Sequence, residues 1–93
     1  MAYSSGKIAV ITGAGSGIGR ALALQLNAEG CQLYLSDVRE ETLAETLSLL
    51  TRPEVSVESR LVDVADREAV HAWAGRIAEE RGHVDIVVNN AGV

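Results

Sequence analysis

Cysteine occurs once in this 93-residue chain, at Cys31. A lone thiol excludes an internal disulfide and fits a reducing compartment. Lysine also occurs once, at Lys7, and the arginines are scattered. With a net charge of −5 and no basic cluster to neutralise phosphates, nucleic acid is excluded as a partner. No apolar run approaches the roughly 20 residues that span a bilayer. The stretch Met1-Ala2-Tyr3-Ser4-Ser5-Gly6-Lys7 lacks the apolar region of a signal peptide. No membrane partner is expected, and the cytoplasm is the default location. The two histidines, His71 and His83, belong to no metal-ligand or triad constellation and read as helix-surface and turn residues. Linkers, low-complexity tracts and long repeats are missing too, so residues 1–93 read as part of a single domain.

What is present is a hydrophobic share of 47%, enough for a core, and an ordinary 23% of charged residues. The pattern predicts four strands alternating with three helices. The first strand covers about Lys7 to Thr12, built on the apolar run Ile8-Ala9-Val10-Ile11. The first helix runs from about Gly17 to Glu29, with Gly30 as its C-cap. Its apolar positions Ile18, Leu22 and Leu26 predict one buried stripe. The second strand is Gln32 to Ser36, ending at Asp37. A second helix covers about Glu40 to Thr51, with Leu43, Leu47 and Leu50 as its stripe and Pro53 after its end.

The third strand is about Val55 to Val62. The third helix spans about Asp66 to Arg81 and stops at Gly82. Val70, Trp73 and Ile77 share a face of it, which makes Trp73 a core anchor. The last strand, Val84 to Val88, runs into Asn89-Asn90-Ala91-Gly92. Strands separated by helices imply right-handed βαβ units and a parallel sheet. The expected fold is α/β, a doubly wound Rossmann-type sheet with strand order 3-2-1-4. Ligands of such sheets bind beyond the carboxyl ends of the strands, at the switch between strands 1 and 4.

The first strand-to-helix turn carries the chemistry. Thr12-Gly13-Ala14-Gly15-Ser16-Gly17-Ile18-Gly19 follows a strand and opens a helix. Glycines allow a tight turn and close approach to a pyrophosphate, and the helix N-terminus offers unpaired N–H groups and a positive dipole end. Asp37 lies 18 positions after Gly19, at the end of the second strand. An aspartate there can hold both ribose hydroxyls of an adenosine and repels a 2′-phosphate. Its plainer role is to cap the turn before Glu40.

With these features the chain resembles the short-chain dehydrogenase/reductase family. The branch with Thr-Gly-x-x-x-Gly-x-Gly matches Thr12 to Gly19. The Asn-Asn-Ala-Gly hallmark is present as Asn89 to Gly92, and Asp63-Val64 stands at the end of the third strand. The resemblance covers essentially the whole chain but only about the first third of a typical member. It implies that Gly13, Ser16, Gly17, Ile18 and Gly19 approach the pyrophosphate and ribose. Asp63 would bond the adenine amino group, and Val64 would contribute backbone. Asn90, Ala91 and Gly92 would line the adenosine–ribose side, while Asn89 would brace the sheet.

The cofactor implied is NAD rather than NADP. Members that prefer NADP place a basic residue where Ser16 or Val38 stands, although Arg39, two past Asp37, is within reach of a 2′-phosphate. Members often carry Thr or Ser as helix cap where Ala65 stands, so Asp66 is expected to cap instead.

The implied activity is hydride transfer between a nicotinamide and an alcohol or carbonyl substrate. The family's catalytic Tyr-x-x-x-Lys pair, Ser and further Asn would all lie beyond Val93. The chain is therefore expected to be an N-terminal portion holding the cofactor side alone, inactive by itself, with no catalytic residue and no metal. Tyr3 and Lys7 spell Tyr-x-x-x-Lys, but on a Ser-Ser-Gly segment ahead of the first strand, and read as coincidence. Tyr34 has no lysine near it.

The complete protein is expected to form a homo-oligomer. A 93-residue polypeptide expressed alone would expose the apolar edge of its last strand and self-associate. A second reading is a non-catalytic nucleotide-binding or interaction module. A third, a relative doing epimerisation or dehydration, fits the spacing of Gly13, Gly17 and Gly19 poorly.

Overall fold

A computed structural model describes residues 6–15, 17–52, 54–63 and 66–89. The elements run β1 (Ile8–Thr12), α1 (Gly17–Ala28), β2 (Gln32–Asp37), α2 (Glu40–Leu49), β3 (Val57–Leu61), α3 (Arg67–Arg81) and β4 (Ile86–Asn89). Every strand pair is parallel and the order is β3-β2-β1-β4, as the pattern predicts. β1 is buried along its whole length. A strand covered on both faces needs no alternation, which is why its sequence is continuously apolar.

Each face of the sheet has its own core. On one side Ala9, Ile11, Leu33 and Leu35 meet Ala23 and Leu26 of α1 and Leu43 of α2. On the other, Ile8, Val10 and Tyr34 meet Trp73 and Ile77 of α3. Trp73 is thus the core anchor that its helical spacing predicts. Asp66 caps α3, its carboxylate accepting the Ala69 N–H at 3.1 Å, and Gly82 closes the helix.

Three expectations need correction. Ile18 is not part of a buried stripe; it is 69% exposed. The face α1 buries is Gly19, Ala23, Leu26 and Asn27, with Leu22 packed against the core from its margin. Glycine at 19 and alanine at 23 let the helix lie close to the sheet on that face, and Ile18 is left exposed.

β3 is shorter than predicted and its residues from Glu58 to Leu61 are exposed, Leu61 at 51%. It is an edge strand with little helix over it, so Leu61 is exposed while Val57, half-buried, packs against the core. α2 and β4 also shift by a few residues, α2 ending at Leu49 and β4 starting at Ile86.

Two polar devices close the connections. The Asp85 N–H donates to the Ile8 carbonyl at 2.9 Å, and the Asp85 carboxylate accepts the Ile8 N–H at 2.8 Å, fastening the entry of β4 to that of β1. Fully buried Asn27 donates to the Arg52 carbonyl at 3.1 Å and accepts the Arg52 N–H at 2.9 Å, fixing the chain between α2 and β3.

Candidate functional site

Four strand ends meet at the carboxyl edge of the sheet. β1 leads there into Gly13, Ala14 and Gly15, and β2 delivers Asp37. β3 leads through buried Val62 to Asp63, and β4 ends at Asn89, opposite Thr12 in the ladder. Val62 is held against β2 by its N–H, which donates to the Asp37 carbonyl at 3.0 Å. Parallel pairing alone therefore brings Gly13, Asp37 and Asp63 to one edge, although 50 positions separate the first from the last.

The turn after β1 is fixed by its own peptide groups. The Ala14 N–H donates to the Ser36 carbonyl at 2.9 Å. The Gly15 N–H donates to Asp37 Oδ2 at 2.7 Å. Asp37 Oδ1 accepts from the Val38 N–H at 2.7 Å and the Arg39 N–H at 3.1 Å. Asp37 thus performs the turn-capping role that its position allowed, and also ties β2 to the glycine turn. Its side chain is largely buried.

Gly15 is required by crowding. A β-carbon there would lie 2.5 Å from Thr42 Oγ1 and 2.6 Å from Asp37 Oδ2. Gly17, by contrast, has open space around it but a φ of 56°, a left-handed conformation that costs an L-residue about 1–2 kcal/mol. Gly17 begins α1, whose first-turn N–H groups lack partners within the helix and face the same edge. Gly19 is buried against the sheet and Ile18 is exposed at the rim.

Sequence reasoning missed the side chains that support this turn. Arg20 of α1 reaches Gly15, Thr42, Glu45 and Thr46. Buried Thr46 donates to the Ala14 carbonyl at 2.8 Å. No spacing in the sequence signalled them. The expected site residues Ser16, Val64, Asn90, Ala91 and Gly92 lie outside the described residues, as do Tyr3, Pro53 and Ala65.

Elsewhere, a cleft of about 460 Å³ lies between β3 and α3, lined in part by Tyr34, Arg60, Trp73 and Ile77, away from the glycine turn. A smaller one of about 310 Å³ includes Asp63 and Asp66. Among the described residues no group of three His, Cys, Asp or Glu side chains could hold a metal ion. No described helix is long and apolar enough to cross a membrane.

The family profile described as short chain dehydrogenase matches residues 7–93. The chain belongs to the short-chain dehydrogenase family. SadH of Mycobacterium tuberculosis is 50% identical over 93 residues, covering 100% of this chain and 34% of that protein. Levodione reductase of Leifsonia aquatica is 40% identical over 89 residues, covering 94% of this chain and 33% of that protein. Among solved structures, carveol dehydrogenase from Mycobacterium avium in complex with NAD superposes with a TM-score of 0.85 at 33% identity, over 100% of this chain and 38% of that one.

The chain thus spans about a third of the length of these short-chain dehydrogenase relatives. Its described residues supply the family's Rossmann-type sheet from β3 to β4, with the glycine turn and Asp37 at the edge where such sheets bind ligands.

Proposed function

We propose that residues 1–93 form the adenosine-binding part of a single NAD-binding domain, in an oxidoreductase that acts on an alcohol or carbonyl substrate. The observation that carries this reading is the contact between the glycine turn and Asp37. A crowded Gly15, a left-handed Gly17 and a carboxylate share one sheet edge, beside a helix N-terminus. That donor set fits a dinucleotide: amides for the pyrophosphate and a carboxylate for the ribose.

In this reading Gly13, Ser16, Gly17, Ile18 and Gly19 receive the pyrophosphate and its ribose. Asp63 and Val64 hold the adenine, and Asn90, Ala91 and Gly92 line the adenosine side. Asp37 accepts from the adenosine ribose. Three of its roughly four acceptor positions already take backbone N–H groups. One ribose hydroxyl can be added without disturbance; accepting both would open one of those bonds.

The preference for NAD over NADP rests on this carboxylate, which a 2′-phosphate would meet as a like charge. The structures of carveol dehydrogenase in complex with NAD and of NAD⁺-bound xylitol dehydrogenase, at 33% and 34% identity, support the same choice. The nicotinamide, when bound, supplies the hydride acceptor or donor, and the protein positions it. The residues that move the substrate's proton belong to the complete enzyme, which we further propose to be a cytoplasmic homo-oligomer.

Calorimetric titration of the natural full-length protein with NAD and NADP tests the reading, followed by turnover of a panel of secondary alcohols and ketones. Saturable NAD binding, tighter than NADP, with turnover is the expected result. Binding without turnover points to a non-catalytic nucleotide module. No binding of either dinucleotide at millimolar concentration overturns the proposal.

A further inference from the structure

Ala14 and Gly15 have no spare polar backbone atom. The Ala14 N–H goes to the Ser36 carbonyl at 2.9 Å and the Gly15 N–H to Asp37 Oδ2 at 2.7 Å. The Ala14 carbonyl accepts from Thr46 Oγ1 at 2.8 Å, and the Gly15 carbonyl from Arg20 Nη2 at 2.6 Å. Two of these four anchors are strand elements of the site itself. The other two are side chains of α1 and α2.

These two side chains act as one unit. Arg20 Nε donates to Thr46 Oγ1 at 2.9 Å, and the Thr46 hydroxyl proton has two carbonyls in reach, Ala14 at 2.8 Å and Thr42 at 3.2 Å, of which Ala14 is the nearer. Arg20 Nη2 also donates to the Thr42 carbonyl at 3.1 Å, and Nη1 to Glu45 at 2.6 Å. The guanidinium therefore spans α1, α2 and the turn at once. Only its rigid fork of donors can do that; an ammonium at the end of a flexible stem cannot. Its side chain is mostly covered, so the bonds to Gly15, Thr42 and Thr46 are partly shielded from water, while the Glu45 end is exposed.

We infer that Arg20 is the positioning residue of the cofactor turn, setting through Gly15 directly and through Thr46 at Ala14 the orientation of the two peptides that precede the phosphate-facing amides. The inference rests on the proposed role of this turn in holding the dinucleotide pyrophosphate. It has a further consequence: the Ala14 and Gly15 N–H groups are already engaged within the turn, so the phosphates are held by other amides of the loop.

The test is the natural full-length protein and its Arg20→Met, Arg20→Lys and Thr46→Val variants, titrated with NAD and NADP and assayed for turnover. Arg20→Met should weaken both dinucleotides by about tenfold, the scale of one lost charge-assisted hydrogen bond. The loss should fall on KM for the dinucleotide rather than on kcat. Arg20→Lys should not restore affinity. Thr46→Val, which keeps the shape and removes the hydroxyl between Arg20 and Ala14, should weaken binding of both dinucleotides by a smaller factor.

A role confined to holding α1 against α2 would lower the melting temperature and leave KM unchanged. That outcome, or Arg20→Lys matching the unmutated protein, overturns the inference. If Arg20→Met does not fold, Thr46→Val decides alone: unchanged affinity overturns it. Failure of the unmutated protein to bind either dinucleotide removes the cofactor reading itself, and the inference with it.

Discussion

The Gly15 amide and the Asp37 carboxylate share a hydrogen bond of 2.7 Å that joins the turn after β1 to the end of β2, and a single β-carbon on Gly15 would stand 2.6 Å from the same carboxylate oxygen. One contact therefore decides both the shape of the turn and the place of its charge.

Gly15→Ala should break that arrangement. The added methyl displaces Asp37 Oδ2 or Thr42 Oγ1, and overpacking of this kind costs about 1–3 kcal/mol. Asp37 cannot move without releasing backbone N–H groups that it caps. The expected result is a lower urea midpoint together with a reduced NAD-to-NADP affinity ratio. A destabilised variant with an unaltered ratio would separate the turn from cofactor choice.

Asp37→Ala removes the carboxylate outright. The NAD-to-NADP ratio of dissociation constants should shift toward NADP by about tenfold or more, since a like-charge contact costs from about 1 kcal/mol in water to about 4 kcal/mol near a protein surface. Stability should fall too, because the Gly15 N–H loses its acceptor inside a largely buried site. Titration of the variant with both dinucleotides checks this, and an unchanged ratio removes Asp37 as the discriminating residue.

Asp85 makes acid stability sensitive to one strand junction. The Ile8 N–H bond holds the Asp85 carboxyl below the usual carboxylate range, with His83, 3.2 Å away, adding to the effect when protonated. A carboxyl that is more acidic folded than unfolded lends stability above its unfolded value. That stability is lost as pH falls through the lowered folded value. Asp85→Asn should thus flatten the pH dependence of unfolding below about pH 5, where an unperturbed Asp of pKa about 3.9 begins to protonate. Thermal unfolding of both proteins from pH 2 to 7 measures it.

Cys31 should resist modification. It is fully buried between α1 and β2, and its Sγ lies 3.1 Å from the Lys7 carbonyl. Burial, reinforced by the charges of Asp85 and Glu29, pushes the thiol up to about 11. Because the thiolate is the nucleophile, iodoacetamide at pH 8 should label the native protein far more slowly than the urea-unfolded one. Equal rates would mean that the α1–β2 junction opens readily.

Much of this fold can be read directly from the chain. The strand order follows from alternation of strands and helices under right-handed crossovers. Trp73 and Ile77 follow from helical spacing, and the cap at Asp66 from the alanine before it. These are local patterns. Less legible was the rotation of α1, which buries Gly19 and Ala23 and turns Ile18 outward. An apolar stripe gives a face to within a residue, and small residues compete for closeness to a sheet. In β3 the polar run Glu58, Ser59 and Arg60 already sets it apart from the apolar β1; the exposure of Leu61 beside them was not legible, because it comes from the strand's place at the sheet edge.

The polar supports of the site were illegible for a different reason. Arg20 with Thr46, and Asn27 with Arg52, join residues 26 and 25 positions apart. No spacing rule reports such pairs, since each residue alone reads as an ordinary surface side chain. The contact of Gly15 with Asp37, 22 positions apart, belongs with them. The turn glycines and the acid were each visible; their meeting was not.

β1 lies between β2 and β4, and all five of its residues are buried. Opening such a strand requires both neighbours to part, whereas β3 can fray from one side alone. Amide hydrogen exchange should therefore be slowest along Ile8 to Thr12 and faster along Val57 to Leu61. The glycine turn is the direct continuation of the strand that opens last, so local unfolding can pass through the rim of the sheet while the turn keeps its shape.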